Sequence, residues 1–360
     1  MIVYLLYVAS PLVVYFLFKL VKYQTNINQV INKRAYLLIC GIIMALMIGL
    51  RHPLNGSVDT YRYCQNWIVM RDVNYSNLSS VLEKIDIEKG YLITIWFLTR
   101  IFYHPQWLLV LSGIFFSFTI CFFVKNSCDS SPLALMTFNA LGSFAFMVQG
   151  LRQSLAMCLC LWALEYLKRK KWVKSILLIL LASSFHASAL VFFIVFPLSK
   201  LKINFKSLVL VLVGSIVVVL LLPNLFEMVN LWINDDYDIG QGAESGGIIA
   251  ICIYFTIIIF GLLFGNKSEK FFPLYIYLTI VAVSCMFMRN TVSTIVERIA
   301  QYFAFGQMAV LAHSTKSFTD ATTKVLICMI IAFLLFGVAI YKTSYSILIP
   351  YEFFWHNPIF

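Results

Sequence analysis

Residues 247–264 read GIIAICIYFTIIIFGLLF, a run of eighteen residues without a charged side chain. A helix needs about 20 mostly apolar residues to cross a hydrocarbon core of about 30 Å, so this run predicts a membrane-spanning helix. Similar runs recur along the chain, which is 61% hydrophobic and 12% charged. Soluble domains carry about 25% charged residues, and barrel strands alternate apolar with polar residues. The sequence therefore predicts an all-α polytopic membrane protein.

The apolar runs predict a single integral membrane domain over residues 1–360 with about twelve transmembrane helices. The runs cover residues 2–18, 35–50, 106–124, 133–148, 151–167, 172–185, 187–199, 206–222, 247–264, 271–288, 295–313 and 323–341. The first run has no basic segment before it and no small-residue cleavage site after it, so we expect a retained span rather than a signal peptide. Segment 91–103 is predicted to be re-entrant or interfacial, because an extra crossing there would contradict the loop charges.

Loop charges predict the sidedness of the chain. Basic residues lie between the first two spans and again at 168–174, and the positive-inside rule assigns both loops to the cytoplasm. Segment 223–246 carries five carboxylates and no lysine or arginine. Loops 51–90 and 223–246 are therefore predicted to be external, with both termini outside. The net charge of +11 is a topology signal on this interpretation, so no nucleic-acid partner is expected.

Several cationic or imidazole side chains fall on the predicted external face, against the positive-inside bias. They are Arg51, Arg152, His186, Arg289 and Arg298. Guanidinium groups present planar donor forks that suit phosphate and carboxylate groups. Arginines kept beside spans in spite of their cost usually serve a site, so these residues predict a site for an anionic headgroup or a pyrophosphate.

Polar side chains at helical spacing accompany the arginines. The predicted same-face sets are Gln149 with Arg152 and Gln153, Arg298 with Tyr302, and Glu297 with Gln301. Amide, phenol and carboxylate groups beside arginine suit a ligand with many hydroxyls next to a phosphate, such as a lipid-linked sugar. The alternative is that Glu297 and the arginines form ion pairs that only hold helices together.

His186 is a candidate general base, because an unperturbed imidazole titrates near a pKa of 6.5. Asp59 and Glu88 are predicted external carboxylates that could also deprotonate a hydroxyl. The alternatives are a hydrogen-bonded helix residue for the histidine and solvated loops for the carboxylates. The nine cysteines form no CxxC pair, and no Walker, HExxH or GxSxG motif occurs, so the sequence predicts neither a metal nor a cofactor.

With these residues in place, the chain resembles the EpsG/Wzy-type family of bacterial polysaccharide polymerases over almost its whole length. The motifs that carry the resemblance are Arg51 followed by Gly56, Asp59 and Tyr63, then EKGY at 88–91, LRQSLA at 151–156, SFHASAL at 184–190, Glu297-Arg298 with Tyr302, and PYEFF at 350–354. The arginine–glutamine helix start and the phenylalanine–histidine turn are the more specific of these motifs.

The resemblance implies a GT-C-type, metal-independent glycosyltransferase. Such an enzyme would join oligosaccharide repeats carried on undecaprenyl pyrophosphate at the periplasmic face of the bacterial inner membrane. It implies lipid-linked oligosaccharide and membrane lipid as partners, and a possible chain-length regulator. The implied roles are catalytic for His186, Glu297, Arg152 and Arg298, and substrate-binding for Arg51, Asp59, Gln153, Arg289, Gln301 and Tyr302.

Three other functions remain open. A flippase or transporter for lipid-linked oligosaccharides would also expose arginines to a cavity, although it should show internal repeats. An O-antigen ligase would use similar arginines. A membrane acyltransferase ranks last, because it should pair a histidine with a carboxylate and the sequence neighbours of His186 include none.

Overall fold

The fold is known from a computed structural model that describes residues 1–25, 32–54, 58–230, 247–288, 294–343 and 350–356. The regular elements in those ranges are helices, and the β-type pairing found there is an isolated antiparallel bridge between Arg51 and Phe353. The predicted all-α class is therefore confirmed. A helix suits a membrane because it satisfies its backbone hydrogen bonds within its own segment.

The described residues form seventeen α-helices and three 3-10 helices. The α-helices are α1 Ile2–Thr25, α2 Lys33–Gly49, α3 Val58–Arg71, α4 Leu78–Lys84, α5 Lys89–Thr99, α6 Gln106–Ser127, α7 Ser131–Ala140, α8 Ser143–Gln149, α9 Leu151–Lys168, α10 Trp172–Ser183, α11 Val195–Leu198, α12 Phe205–Asn230, α13 Gly247–Phe264, α14 Phe272–Met288, α15 Thr294–Phe303, α16 Phe305–Ser314 and α17 Ala321–Thr343. The 3-10 helices are Tyr75–Asn77, Ala187–Ile194 and Thr315–Ser317.

Three helices in the described ranges are each long and apolar enough to cross a membrane: α1 over Ile2–Leu20, α6, and α17 over Ala321–Lys342. The bent pair α7–α8 passes the same test when taken as one span. Only 17% of the apolar window of α17 is buried, and Phe333 in it is 78% exposed. Such exposure suits lipid hydrocarbon, so the chain is an all-helical membrane protein. The total of twelve crossings stays a prediction.

The predicted span at 133–148 is not one straight helix, because the chain bends by 58° between α7 and α8. Gly142 occupies the break with φ +98°, in the left-handed region that glycine adopts without a steric penalty. The Leu141 carbonyl, freed at the bend, accepts a hydrogen bond of 2.5 Å from Lys342 Nζ. A side chain far away in the sequence thus satisfies a carbonyl at the C-terminal end of α7.

Three further segments can be compared with the elements that the apolar runs predict. The predicted span 187–199 forms a 3-10 helix over Ala187–Ile194 followed by the single turn α11. The predicted span 295–313 is divided at Ala304 into α15 and α16. Segment 91–103 overlaps α5, whose eleven residues extend about 16 Å at 1.5 Å per residue, too short for an ordinary crossing.

The contacts of the chain define two compact units. The first comprises residues 1–190 and 325–360, and the second comprises residues 191–324. Within the first unit α2 packs along α6, and α9 packs against both α6 and α10. Within the second, α14 is almost wholly buried among α12, α13, α15 and α16. Hydroxyl pairs such as Ser215–Ser284, at 2.7 Å, join its helices, as is common where helices pack in a membrane.

Candidate functional site

Three charged or titratable side chains from distant parts of the sequence meet in the first unit. The Glu88 carboxylate accepts a hydrogen bond from Arg152 Nη1 through one oxygen, and its other oxygen lies 2.7 Å from His186 Nδ1. The side chains of Glu88, Arg152 and His186 are 19%, 23% and 10% exposed. We call these three residues the Glu88 cluster. The cluster joins three of the motifs that the sequence singles out.

Each member of the cluster lies at a helix end, where the backbone turns and brings the side chain inwards. Glu88 immediately precedes α5, and Gly150 ends α8 so that Arg152 falls in the first turn of α9. His186 lies between the end of α10 and the 3-10 helix that begins at Ala187. An arginine in the first turn opposes the helix dipole, so Glu88 is the partner that stabilises it there.

The loops that carry Glu88 and His186 also touch through their backbones. A Cβ atom built on Gly90 would lie 2.6 Å from the carbonyl oxygen of Ser184. Real Cβ atoms do not approach oxygen that closely, so any side chain at residue 90 would push the two loops apart. Gly90 therefore fixes the distance at which the carboxylate meets the imidazole.

Two tyrosines lie beside the cluster. The Arg152 guanidinium carbon is 5.7 Å from the centroid of the Tyr63 ring, and Tyr63 meets Tyr91 edge-to-face at a centroid distance of 5.7 Å. Arg152 Nε and the Tyr91 hydroxyl are buried, and neither has a hydrogen-bond partner among the residues that the structure describes. Because buried donors are normally satisfied, this pair is suited to oxygens of a bound ligand.

The protonation of the cluster follows from its geometry. Burial alone would raise the pKa of Glu88, but the hydrogen bond from His186 and the positive charge of Arg152 outweigh it and hold the pKa below its ordinary value of 4.5. Glu88 is therefore ionised at neutral pH and can only accept hydrogen bonds. We assign a hydrogen to His186 Nδ1 on this basis, and Nε2 is then the imidazole nitrogen that remains for a substrate.

The cluster corrects two inferences drawn from sequence spacing. His186 does have a carboxylate partner, which comes from a residue 98 positions earlier in the chain. An acyltransferase therefore cannot be ranked last for want of a carboxylate beside His186. Gln149 does not share a helical face with Arg152 and Gln153, because Gly150, with φ −93° and ψ 66°, separates α8 from α9.

Arg51 lies inside the first unit and is 1% exposed. Its Nη2 donates to the Val148 carbonyl at 2.6 Å and to Thr60 Oγ1 at 3.2 Å. Its backbone forms the bridge to Phe353, and the neighbouring His52 amide donates to the Glu352 carbonyl at 2.8 Å. Arg51 thus connects the end of α2 to α3, α8 and the C-terminal motif, which favours a structural role over contact with pyrophosphate.

The other predicted residues of the first unit flank the cluster in sequence. Asp59 is half-buried in the first turn of α3, and Gln153 is buried next to Arg152 in α9. The sequence predicts Glu88 as a carboxylate that could deprotonate a hydroxyl, but it does not predict the contacts of Glu88 with His186 and Arg152. The EKGY, LRQSLA and SFHASAL motifs contain these residues, so the signal was present, but their contacts depend on tertiary structure.

The remaining predicted residues belong to the second unit. Glu297, Arg298, Gln301 and Tyr302 all lie on α15, so the predicted i, i+4 pairs share one helix. Arg298 is exposed, Glu297 is half-buried, and Gln301 and Tyr302 are buried. Gln301 Oε1 is buried without a hydrogen-bond partner in the described part of the chain. Arg289 lies outside the described residues. The convergence of these side chains with the Glu88 cluster stays a prediction.

An all-helical membrane protein with a histidine hydrogen-bonded to a carboxylate at its helix ends is the class that the fold and the cluster define. The family model described as "EpsG family" matches residues 34–353 of this chain. The chain therefore belongs to the EpsG family, which is associated with polysaccharide polymerisation of the glycosyltransferase type. No curated protein and no solved structure matches it. The family predicted from the sequence motifs is confirmed.

Proposed function

We propose that this protein polymerises oligosaccharide repeats carried on a lipid pyrophosphate, undecaprenyl pyrophosphate being the carrier that the family suggests. The observation that carries the proposal is the Glu88 cluster, in which an imidazole oriented by a carboxylate lies beside an arginine with an unused buried donor. The oriented imidazole suits general-base catalysis, and the arginine donor suits an anionic leaving group. We propose the outer face of the inner membrane as the location and periplasmic termini as the topology.

In the proposed reaction a sugar hydroxyl of one repeat attacks the anomeric carbon of another. His186 Nε2 takes the hydroxyl proton, a new glycosidic C–O bond forms, and the bond from the anomeric carbon to the pyrophosphate oxygen breaks. The electron pair of that bond leaves with the lipid pyrophosphate. Glu88 keeps the imidazole in the required tautomer and stabilises the imidazolium that forms, as the carboxylate of a catalytic triad does.

Arg152 is assigned to the departing pyrophosphate. Its Nε is a donor without a partner in the described chain, and it lies in the first turn of α9, where the helix dipole also favours an anion. A well-placed donor of this kind is worth roughly 3–4 kcal/mol of transition-state stabilisation. Arg298 and Arg289 are proposed as further pyrophosphate ligands. Gln153, Gln301, Tyr302 and Asp59 are assigned to sugar or phosphate oxygens, and Glu297 is the alternative base.

Purified protein supplied only with lipid-linked repeats tests the proposal. Wild type should give a ladder of products, whereas Arg152→Ala and His186→Ala should leave single repeats. Arg169→Ala and His356→Gln alter exposed residues of the same types and should retain the ladder. Normal chain length in both cluster variants would refute the assignment. Product transfer only after addition of a second acceptor lipid would favour a ligase, and transport without bond formation would favour a flippase.

The His186–Glu88 pair also favours a second candidate, acyl transfer to a sugar, because an imidazole held by a carboxylate can deprotonate a hydroxyl for attack on an acyl group as well. The same purified protein, supplied with an acyl-coenzyme A and the lipid-linked repeat, separates the two reactions. An acylated single repeat that never elongates would replace polymerisation as the proposed function.

A further inference from the structure

An apolar groove runs between α5, α6, α9 and α10 of the first unit. Its volume is about 320 Å³, at the lower end of the roughly 300–1,000 Å³ found for small-molecule sites. The residues that line it include Tyr91, Leu98, Leu111, Leu155, Leu159 and Phe185. Sugar hydroxyls would lose their hydrogen bonds in such surroundings, so the groove suits a hydrocarbon ligand.

The groove is partly open at its rim and lies along α6. Leu111 lies on α6, which is long and apolar enough to cross a membrane. Leu181 on the rim is 48% exposed, and Leu98, Leu155 and Leu159 are half-buried. An apolar chain could therefore enter from the lipid phase without passing through water.

The lining of the groove includes a close sequence neighbour of each residue of the Glu88 cluster. Phe185 immediately precedes His186, and Tyr91 and Leu155 each follow a cluster residue by three positions, about one helical turn. The buried hydroxyl of Tyr91 lacks a partner in the described chain, as does Arg152 Nε. The two environments match a single amphiphile, with an anionic head at the guanidinium and a hydrocarbon chain in the groove.

We propose that the groove binds the isoprenoid units next to the pyrophosphate of the lipid-linked donor. This inference rests on the proposed function, because only that function supplies a ligand with a single lipid chain attached to a pyrophosphate. The groove then aligns the donor, since holding the first isoprenoid units fixes where the pyrophosphate lies relative to Arg152.

Photolabelling tests this separately from polymerisation. The probe is a polyprenyl pyrophosphate without sugar that carries a diazirine in its second isoprenoid unit. It should label peptides of α5, α6, α9 and α10. Leu159→Trp and Leu98→Trp, which fill the groove from two different helices, should each reduce labelling by at least about tenfold, equal to ~1.4 kcal/mol of binding free energy. Leu177→Trp, at a residue that is 59% exposed on α10 and outside the groove, is the matched control.

Gel filtration identifies any variant that fails to fold, and the other variant then decides the outcome. Labelling that both folded tryptophan variants retain would overturn the proposal. Labelling that phosphatidylglycerol displaces as well as polyprenyl pyrophosphate does would also overturn it, because the groove would then bind ordinary lipid. Groove labelling in a wild-type protein that makes no polymer would instead count against the proposed function.

Discussion

Glu88→Gln removes the charge at the centre of the cluster while keeping the shape of the side chain. The carboxylate bonds both Arg152 and His186, and a hydrogen bond to a charged group contributes roughly 1.5–3 kcal/mol. The side chains are about one-fifth exposed, so solvent reduces this contribution. Because the glutamine oxygen can still accept one of the two bonds, we expect a loss of about 2 kcal/mol in the free energy of unfolding.

The effect of Glu88→Gln on activity should exceed its effect on stability. Without the carboxylate, His186 loses the group that fixes its tautomer, and general-base catalysis contributes about 10²–10⁴-fold to a rate. The assay is the polymerisation rate of purified protein, read as product length against time, with thermal unfolding measured in parallel. Glu83→Gln is the matched control, because Glu83 is exposed and lies five residues earlier in the chain.

A double-mutant cycle decides whether Glu88 acts through His186. If the two residues form one catalytic unit, Glu88→Gln combined with His186→Gln should be scarcely slower than the worse single variant. Two results would refute the reasoning. One is that the rate losses of the two single variants simply multiply in the double variant. The other is a Glu88→Gln rate within about twofold of wild type, because impaired general-base catalysis should slow the reaction at least about 10²-fold.

Three further predictions follow from the same contacts. Gly90→Val should force the loops apart at Ser184 and lower both stability and activity, whereas Gly214→Val, where no atom lies within 4 Å of the built Cβ, should do neither in thermal unfolding and polymerisation assays. The folded pKa of Glu88 lies below its ordinary value of 4.5, so its contribution to stability should be fully present above that value and be lost as the pH falls through the lower folded pKa; the unfolding free energies of wild type and Glu88→Gln should converge over that fall, and a difference that does not change would contradict the ion pair. Arg51→Ala should leave the Val148 carbonyl unpaired and cost about 1–3 kcal/mol in unfolding free energy, and a fully stable variant that has lost only pyrophosphate binding would return Arg51 to the substrate site.

Arg51 shows what the pattern of charges in a sequence can and cannot predict. The sequence correctly predicted that a basic residue beside a span needs a special reason. It could not distinguish a ligand from an internal partner, because Val148 and Thr60 reach Arg51 only through packing. The Val148 carbonyl, 2.6 Å from Arg51 Nη2, is a partner that explains why an arginine is buried here.

Helix boundaries also separate into those that the sequence predicts and those that depend on tertiary packing. Apolar runs predicted α6, α9, α13 and α14 closely, because helices in lipid need continuous apolar residues. The breaks at Gly142 and Ala304 were not predicted, since both segments remain apolar through the break. The first break is satisfied by Lys342, a partner 201 residues away.

The sequence by itself determined the class, the family and the identity of the motifs, because hydrophobicity and motif order are local properties of the chain. Tertiary structure decided how the motifs act on one another. It brought Glu88 to His186 across 98 positions and to Arg152 across 64, and it placed Gly90 against Ser184. Hydrogen bonds of this kind depend on distances of a few tenths of an ångström, which helix packing sets and residue spacing does not encode.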